Sequence, residues 1–139
     1  MAQPGEIIGM AGTAFIEGRL EAMSERYLYP FVVAMDEHHH IVRTPEELIE
    51  MLGVLRADLM ANGMTDARTR IESQMVFNEE LAFVSAETIY LDRQGKILTR
   101  SKSSYVMRND TGRWRVLTCA IDQKARHSAG ACLLDREAA

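Results

Sequence analysis

Few side chains in this 139-residue sequence are suited to chemistry, and they fall in two places. The first is the run Asp36-Glu37-His38-His39-His40. Asp36 is a candidate general base, a role that a carboxylate takes when apolar neighbours raise its pKa toward the working pH. The competing reading is a solvated turn residue. The imidazoles invite a metal, but adjacent side chains of an extended strand point to opposite faces, so only His38 and His40 converge. A site there still lacks a third ligand at metal-binding spacing, Asp36 being the nearest, and no metal is expected. Proton shuttling by His38 or His40 suits them better. The second place is a set of hydroxyls and phenols at alternate positions further along: Ser73, then Thr88 and Tyr90, then Ser101, Ser103 and Tyr105, then Thr118, with Asp122 beyond. A phenol can donate to a ligand carbonyl while its ring forms a wall; otherwise it is a core Tyr bonded to backbone or water. Asp122 reads as an acid–base carboxylate or as a strand-end residue. Ser101 and Ser103 have no local His and acid context, and neither a nucleophile elbow nor a phosphate-binding glycine loop is present.

The composition bounds what these groups can serve. Hydrophobic residues make up 47%, charged residues 26%, and the formal net charge is −4. Those values describe a single soluble domain, large enough to enclose a core and one small cavity. Scattered basic residues argue against nucleic acid and against an anionic membrane. Cys119 and Cys132 fit no zinc or redox spacing and are read as reduced thiols of a cytoplasmic protein. The opening MAQPGEIIGMAG has neither a charged leader nor a continuous apolar run, so no secretion signal or membrane span is expected. No cofactor is expected either.

The elements that position these groups follow from periodicity. From Gly5 to Arg26 apolar residues recur at three- and four-residue steps, which predicts a helix that Gly9, Gly12 and Gly18 break or pack closely. Tyr27 to Met35 reads as a strand that Pro30 confines to an edge or an irregularity, with His38 to Arg43 as its hairpin partner. Thr44-Pro45-Glu46-Glu47 is a capping box with proline at the first helical position. The helix it opens carries Leu48, Met51, Leu52, Leu55 and Leu59 and stops at Asn62-Gly63. After Thr65 the period changes to two, and turns near Asn78-Glu79, Gln94-Gly95 and Asn109-Gly112 predict a four-strand meander.

A register that keeps charge off one face gives that face Thr69, Ile71, Ser73 and Met75 on the first strand, and Ala82, Val84, Ala86, Thr88 and Tyr90 on the second. Thr99, Ser101, Ser103, Tyr105 and Met107 follow on the third, and Trp114, Val116, Thr118, Ala120 and Asp122 on the fourth. Trp114 and Met107 fill one end, while the small hydroxylated positions leave the other under-filled. A pocket for a small hydrophobic ligand is expected there, lined by Ser73, Thr88, Tyr90, Ser101, Ser103, Trp114 and Thr118. The outer face carries Arg70, Glu72, Glu87, Arg100 and Lys102 beside Phe83, Val106, Leu117, Cys119 and Ile121, a mixture that suggests a homodimer surface.

Helix, short hairpin, capped helix, then a meander whose last strand starts Gly112-Arg113-Trp114-Arg115-Val116: over residues 5 to 124 this resembles the nuclear transport factor 2-like superfamily, and more narrowly its SnoaL-like, cystatin-like α+β cone domains. The resemblance implies an α+β fold in which a strongly curved antiparallel sheet wraps around N-terminal helices and encloses an interior pocket. A single domain is expected over residues 1–124, with 125–139 as a tail that is either disordered or laid over the pocket mouth. Members of the superfamily include isomerases, dehydratases, cyclases and non-catalytic binders, and they dimerise through the outer sheet face. Steroid-isomerase-like members carry a carboxylate base where Asp36 stands, but their oxyanion-hole Tyr and Asp are replaced here by the stretch Gly12 to Phe15 and by Ser103-Ser104. Cyclase-like members carry an Asp near the position of Asp122. The expected function is therefore binding of a small molecule, with acid–base isomerase, dehydratase or cyclase chemistry on a hydrophobic carbonyl or hydroxyl compound. In that chemistry Asp36 abstracts or relays a proton, His38 or His40 shuttles it and Tyr105 donates to the oxyanion. The alternative is a non-catalytic homodimerisation domain.

Overall fold

Pro4 and Pro45 open the two longest helices, each at a position where its missing N–H is no loss and its fixed φ suits the turn. The computed structural model describes residues 2–35 and 38–122. Asp36 and the expected tail over 125–139 lie outside the described residues. In helix α1 (Pro4–Ile16) Ile7, Ile8, Ala11, Ala14 and Phe15 form the buried stripe. The single helix expected to Arg26 is two helices, because Gly18 takes a φ of 77° and turns the chain into the short α2 (Leu20–Ser24). Arg56 closes the break: its Nε donates to the Phe15 carbonyl and its Nη2 to that of Ile16, both at 3.0 Å, where a helix end leaves carbonyls without partners.

Helix α3 (Pro45–Ala61) starts and stops as its sequence specifies. The Glu47 amide donates to Thr44 Oγ1 at 3.2 Å, while the Glu47 carboxylate accepts from the Arg43 amide, one residue before the cap. At the far end the Gly63 amide donates to the Met60 carbonyl and the Met64 amide to that of Leu59, a Schellman ending with Gly63 at φ 104°. Met64 then packs on Leu59 and Phe15 in a small satellite core.

Six strands among the described residues form one sheet in the order β2-β1-β6-β5-β4-β3. They are β1 (Tyr27–Ala34), β2 (His39–Val42), β3 (Asp66–Val76), β4 (Leu81–Leu91), β5 (Ile97–Asp110) and β6 (Arg113–Ile121). The fold is α+β, with a curved, unclosed sheet. It is antiparallel except between β1 and β6, which run parallel. Strand β1 is interior, and Pro30 falls in its irregular stretch, where the pairing with β6 shifts between Tyr27 and Val32.

The β4–β5 register is the one expected from the sequence: Val84 pairs with Tyr105, Ala86 with Ser103, Glu87 with Lys102 and Thr88 with Ser101. Two β-bulges change the others, since an extra residue on one strand inverts the faces beyond it. Between Ile71 and Ser73 the β3–β4 pairing shifts, so Thr69 and Ile71 face inward as expected but Ser73 and Met75 are exposed on the outer face. Between Val106 and Met107 the β5–β6 pairing shifts as well. Trp114 and Val116 are buried inward, and beyond the bulge Cys119 and Ile121 face inward in place of Thr118 and Ala120. Their expected outer-face position is thereby corrected. The last turn is also tighter than expected, a two-residue loop of Thr111 and Gly112 with φ 51° and 86°.

The main core gathers Tyr27, Phe31, Val42, Leu48, Val84, Met107 and Val116 between sheet and helices. No helix among the described residues is long and apolar enough to cross a membrane.

Candidate functional site

The inner sheet face and the helices fail to close on each other at one end, leaving a cavity of about 200 Å³. Its helical wall is apolar: Leu48, Met51, Leu52, Leu55 and Leu59 of α3, with Ile8, Ala11 and Phe15 of α1. Its sheet wall is hydroxylated, carrying Thr69, Thr88, Tyr90, Thr99, Ser101, Ser103 and Tyr105. The cause is volume. Small side chains stand at inner positions where the core end has Met107 and Trp114, and the curved sheet cannot collapse onto them.

Six residues expected at the site line this cavity together: Thr88, Tyr90, Ser101, Ser103, Tyr105 and Asp122. Three expected there do not. Ser73 is exposed on the outer face, Trp114 is buried in the core, and the Thr118 hydroxyl donates to the Val32 carbonyl at 2.8 Å. His38 and His40 lie on the β1–β2 hairpin and do not line it; the His38 carbonyl closes the turn by accepting from the Met35 amide, and His40 pairs with Val33. Asp36 lies outside the described residues. Among the described residues no three His, Cys, Asp or Glu side chains gather as a metal site.

The structure adds Cys119 and Ile121, brought in by the second bulge, and Tyr27, Met23 and Met35. A bulge has no sequence signature here. The methionines carried a weaker signal, being suited to flexible apolar walls.

The polar groups inside are neutral. Burial pushes the Tyr90 phenol up to about 12 and the Cys119 thiol up to about 12. Burial, with the neighbouring Cys119 thiol and Tyr90 phenol adding to it, raises Tyr105 well above the ordinary phenol range, against a smaller lowering by its hydrogen bond with Ser103. Burial raises Tyr27 as well, and its ring stacks on Phe31 at 4.7 Å. At neutral pH these groups are hydrogen-bond donors, not bases or nucleophiles. Thr69 and Thr88 satisfy each other at 3.0 Å. The charged lining residues are peripheral: Arg100 is exposed, with Nη1 3.7 Å from Glu87, and Asp122 is half-buried at the end of β6.

Residues 12–124 match the family model described as NTF2-like protein (DUF6841). Solved structures agree on the fold. An NTF2-like protein with a cystatin-like fold from Novosphingobium aromaticivorans superposes with a TM-score of 0.67 at 16% identity, over 93% of this chain and 84% of that one. A ketosteroid isomerase-like protein from Erwinia carotovora gives 0.58 at 17% identity, over 79% and 85%. A Xanthomonas campestris protein provisionally described as a calcium/calmodulin dependent protein kinase II association domain gives 0.61 at 12% identity, over 88% and 91%. No curated protein matches the sequence.

Proposed function

The chain belongs to this NTF2-like family, and from that premise we propose that it is a small-molecule-binding protein whose ligand occupies the cavity between α1, α3 and the inner sheet face. The observation that carries this reading is the contrast of the two walls around unfilled space, the helical one apolar and the sheet one with hydroxyls set among Phe31, Val33 and Ile121. A folded core with no ligand to accommodate gains stability by filling such space. A ligand with an apolar body and an oxygen on one edge matches both walls.

Acid–base chemistry on a hydrophobic carbonyl or hydroxyl compound belongs to the same site. The donor would be Tyr105, whose burial keeps it protonated, and the base a carboxylate, Asp122 on the lining or Asp36, which follows β1 in the sequence. The ketosteroid isomerase-like neighbour favours this reading and the association-domain neighbour an assembly role. The outer sheet face supports the latter as a homodimer surface: Phe83 pairs with Met75 and Val106, and Phe77 meets Phe83 edge to face at 6.2 Å.

Native mass spectrometry of untagged protein, set against its denatured mass, tests the binding role. Extra mass that is released on denaturation is the expected result. A ligand-free protein whose melting temperature no small apolar carbonyl or hydroxyl compound raises would leave only the assembly role.

A further inference from the structure

We infer that the cavity selects an uncharged molecule of about one ring, held by a hydrogen-bond-accepting oxygen at the Tyr105 phenol. The inference rests on the binding role proposed above and narrows it to a ligand class. Size gives the first restriction. An apolar void of roughly 150 Å³ takes up benzene, whereas drug-sized ligands fill pockets from roughly 300 Å³ upward. At about 200 Å³ this cavity holds one ring with a short substituent. A fused four-ring skeleton exceeds it.

Charge gives the second. Among the described residues a carboxylate inside would lose its water and meet phenols, hydroxyls and a thiol but no cation, because Arg100 reaches the lining with its guanidinium toward Glu87 on the outer face. Among the described lining residues an ammonium would meet only Asp122, at the end of β6. Burying an ion without a partner costs several kcal/mol, more than the apolar contacts of one ring return.

Donor geometry gives the third. Tyr105 and Ser103 stand two residues apart on one face of β5, and the Ser103 hydroxyl is near enough to the phenol to act against the rise that burial causes. With Ser103 donating, the phenol keeps its own proton for a ligand oxygen. Tyr90 lies on the adjoining strand, opposite Thr99. The helical wall offers no donor, so the ligand is oriented with its oxygen toward the sheet and its ring on Leu52 and Leu55.

Calorimetric titration of the full chain with four probes tests this: acetophenone, ethylbenzene of the same shape without the oxygen, benzoate with the charge, and the four-ring ketone androstenedione. Acetophenone is expected to bind roughly tenfold more tightly than ethylbenzene, the worth of about one hydrogen bond. Benzoate and androstenedione are expected to be weaker still. Tyr105→Phe should bring acetophenone down to the ethylbenzene level and leave ethylbenzene unchanged. Should that variant fail to fold, Ser103→Ala, which deletes only the hydroxyl behind the phenol, should still lower acetophenone affinity about threefold without affecting ethylbenzene. Preference for benzoate or androstenedione, or equal binding of acetophenone and ethylbenzene, overturns this inference and leaves the binding role standing. Binding of none of the four overturns this inference, while the binding role itself stands or falls on the mass measurement above.

Discussion

Cys119 and Tyr105 are cross-strand partners on β6 and β5, and burial keeps both protonated. The thiol, ordinarily at 9.0, sits at about 12 in the folded chain. Between those values the folded chain holds a proton that the unfolded chain has released, so its contribution is complete below about pH 9 and lost as pH climbs through the folded value. Tyr90 behaves likewise from 10.0 to about 12. Unfolding free energy from urea titration is therefore expected to hold level up to about pH 9 and then fall, each group adding a slope of about 1.4 kcal/mol per pH unit inside its window. Cys119→Ala should be less stable at neutral pH through lost packing but should show a shallower alkaline decline. A stability that stays level to about pH 11 would show that the thiol and phenols are not dry.

Helix α1 meets β3 so closely that its glycines divide into two kinds. A methyl at Gly12 would stand 2.8 Å from Thr69 Oγ1, whereas one at Gly9 has nothing within 4 Å. Thr69 is itself tied to Thr88 on the cavity wall, so it cannot yield without breaking that bond. Gly12→Ala is expected to destabilise by about 1–3 kcal/mol. Gly9→Ala, in the same helix, should stabilise by about 0.5–1 kcal/mol through helix propensity alone. Thermal melts of the two variants shifting in the same direction would contradict the close α1–β3 approach. Elements of this kind were legible in the sequence because they rest on local chemistry: Thr44 and Gly63 bound α3, and the β4–β5 register follows from matching charge across the strands. The site was legible along that same hairpin, where Thr88, Tyr90, Ser101, Ser103 and Tyr105 all reach the cavity. It was lost where a hairpin takes in a bulge. Ser73 went to the outer face and Cys119 to the inner one because of the shifts at Ile71/Ser73 and Val106/Met107, and a single extra residue of this kind leaves the alternation of residue types unchanged.

For the whole molecule, the outer sheet face is the surface with the most left to explain. It is banded: Met75, Phe83 and Val106 form an apolar row, Ser73, Ser85 and Ser104 a flat hydroxyl row, and Arg70, Glu72, Glu87, Arg100 and Lys102 a network with contacts of 3.4 to 3.7 Å. A homodimer through this face would bury the apolar row and use the charged row to fix orientation. Phe83→Glu is expected to yield a monomer in sedimentation analysis with the melting temperature of the isolated subunit retained. A wild-type chain that already sediments as a monomer would remove the dimer from consideration. The parallel seam between β1 and β6 has a further consequence for how the chain is made. Its strands are far apart in sequence, Thr118 bonding to Val32 across 86 positions, while β3 to β6 are joined by successive hairpins. In synthesis order β1 and β2 precede β6, the strand that ties them to the rest of the sheet. Until β6 is made, the apolar faces of β1 and β2 stay open to solvent and to other chains, so that hairpin is the part of the sheet most in need of protection during synthesis.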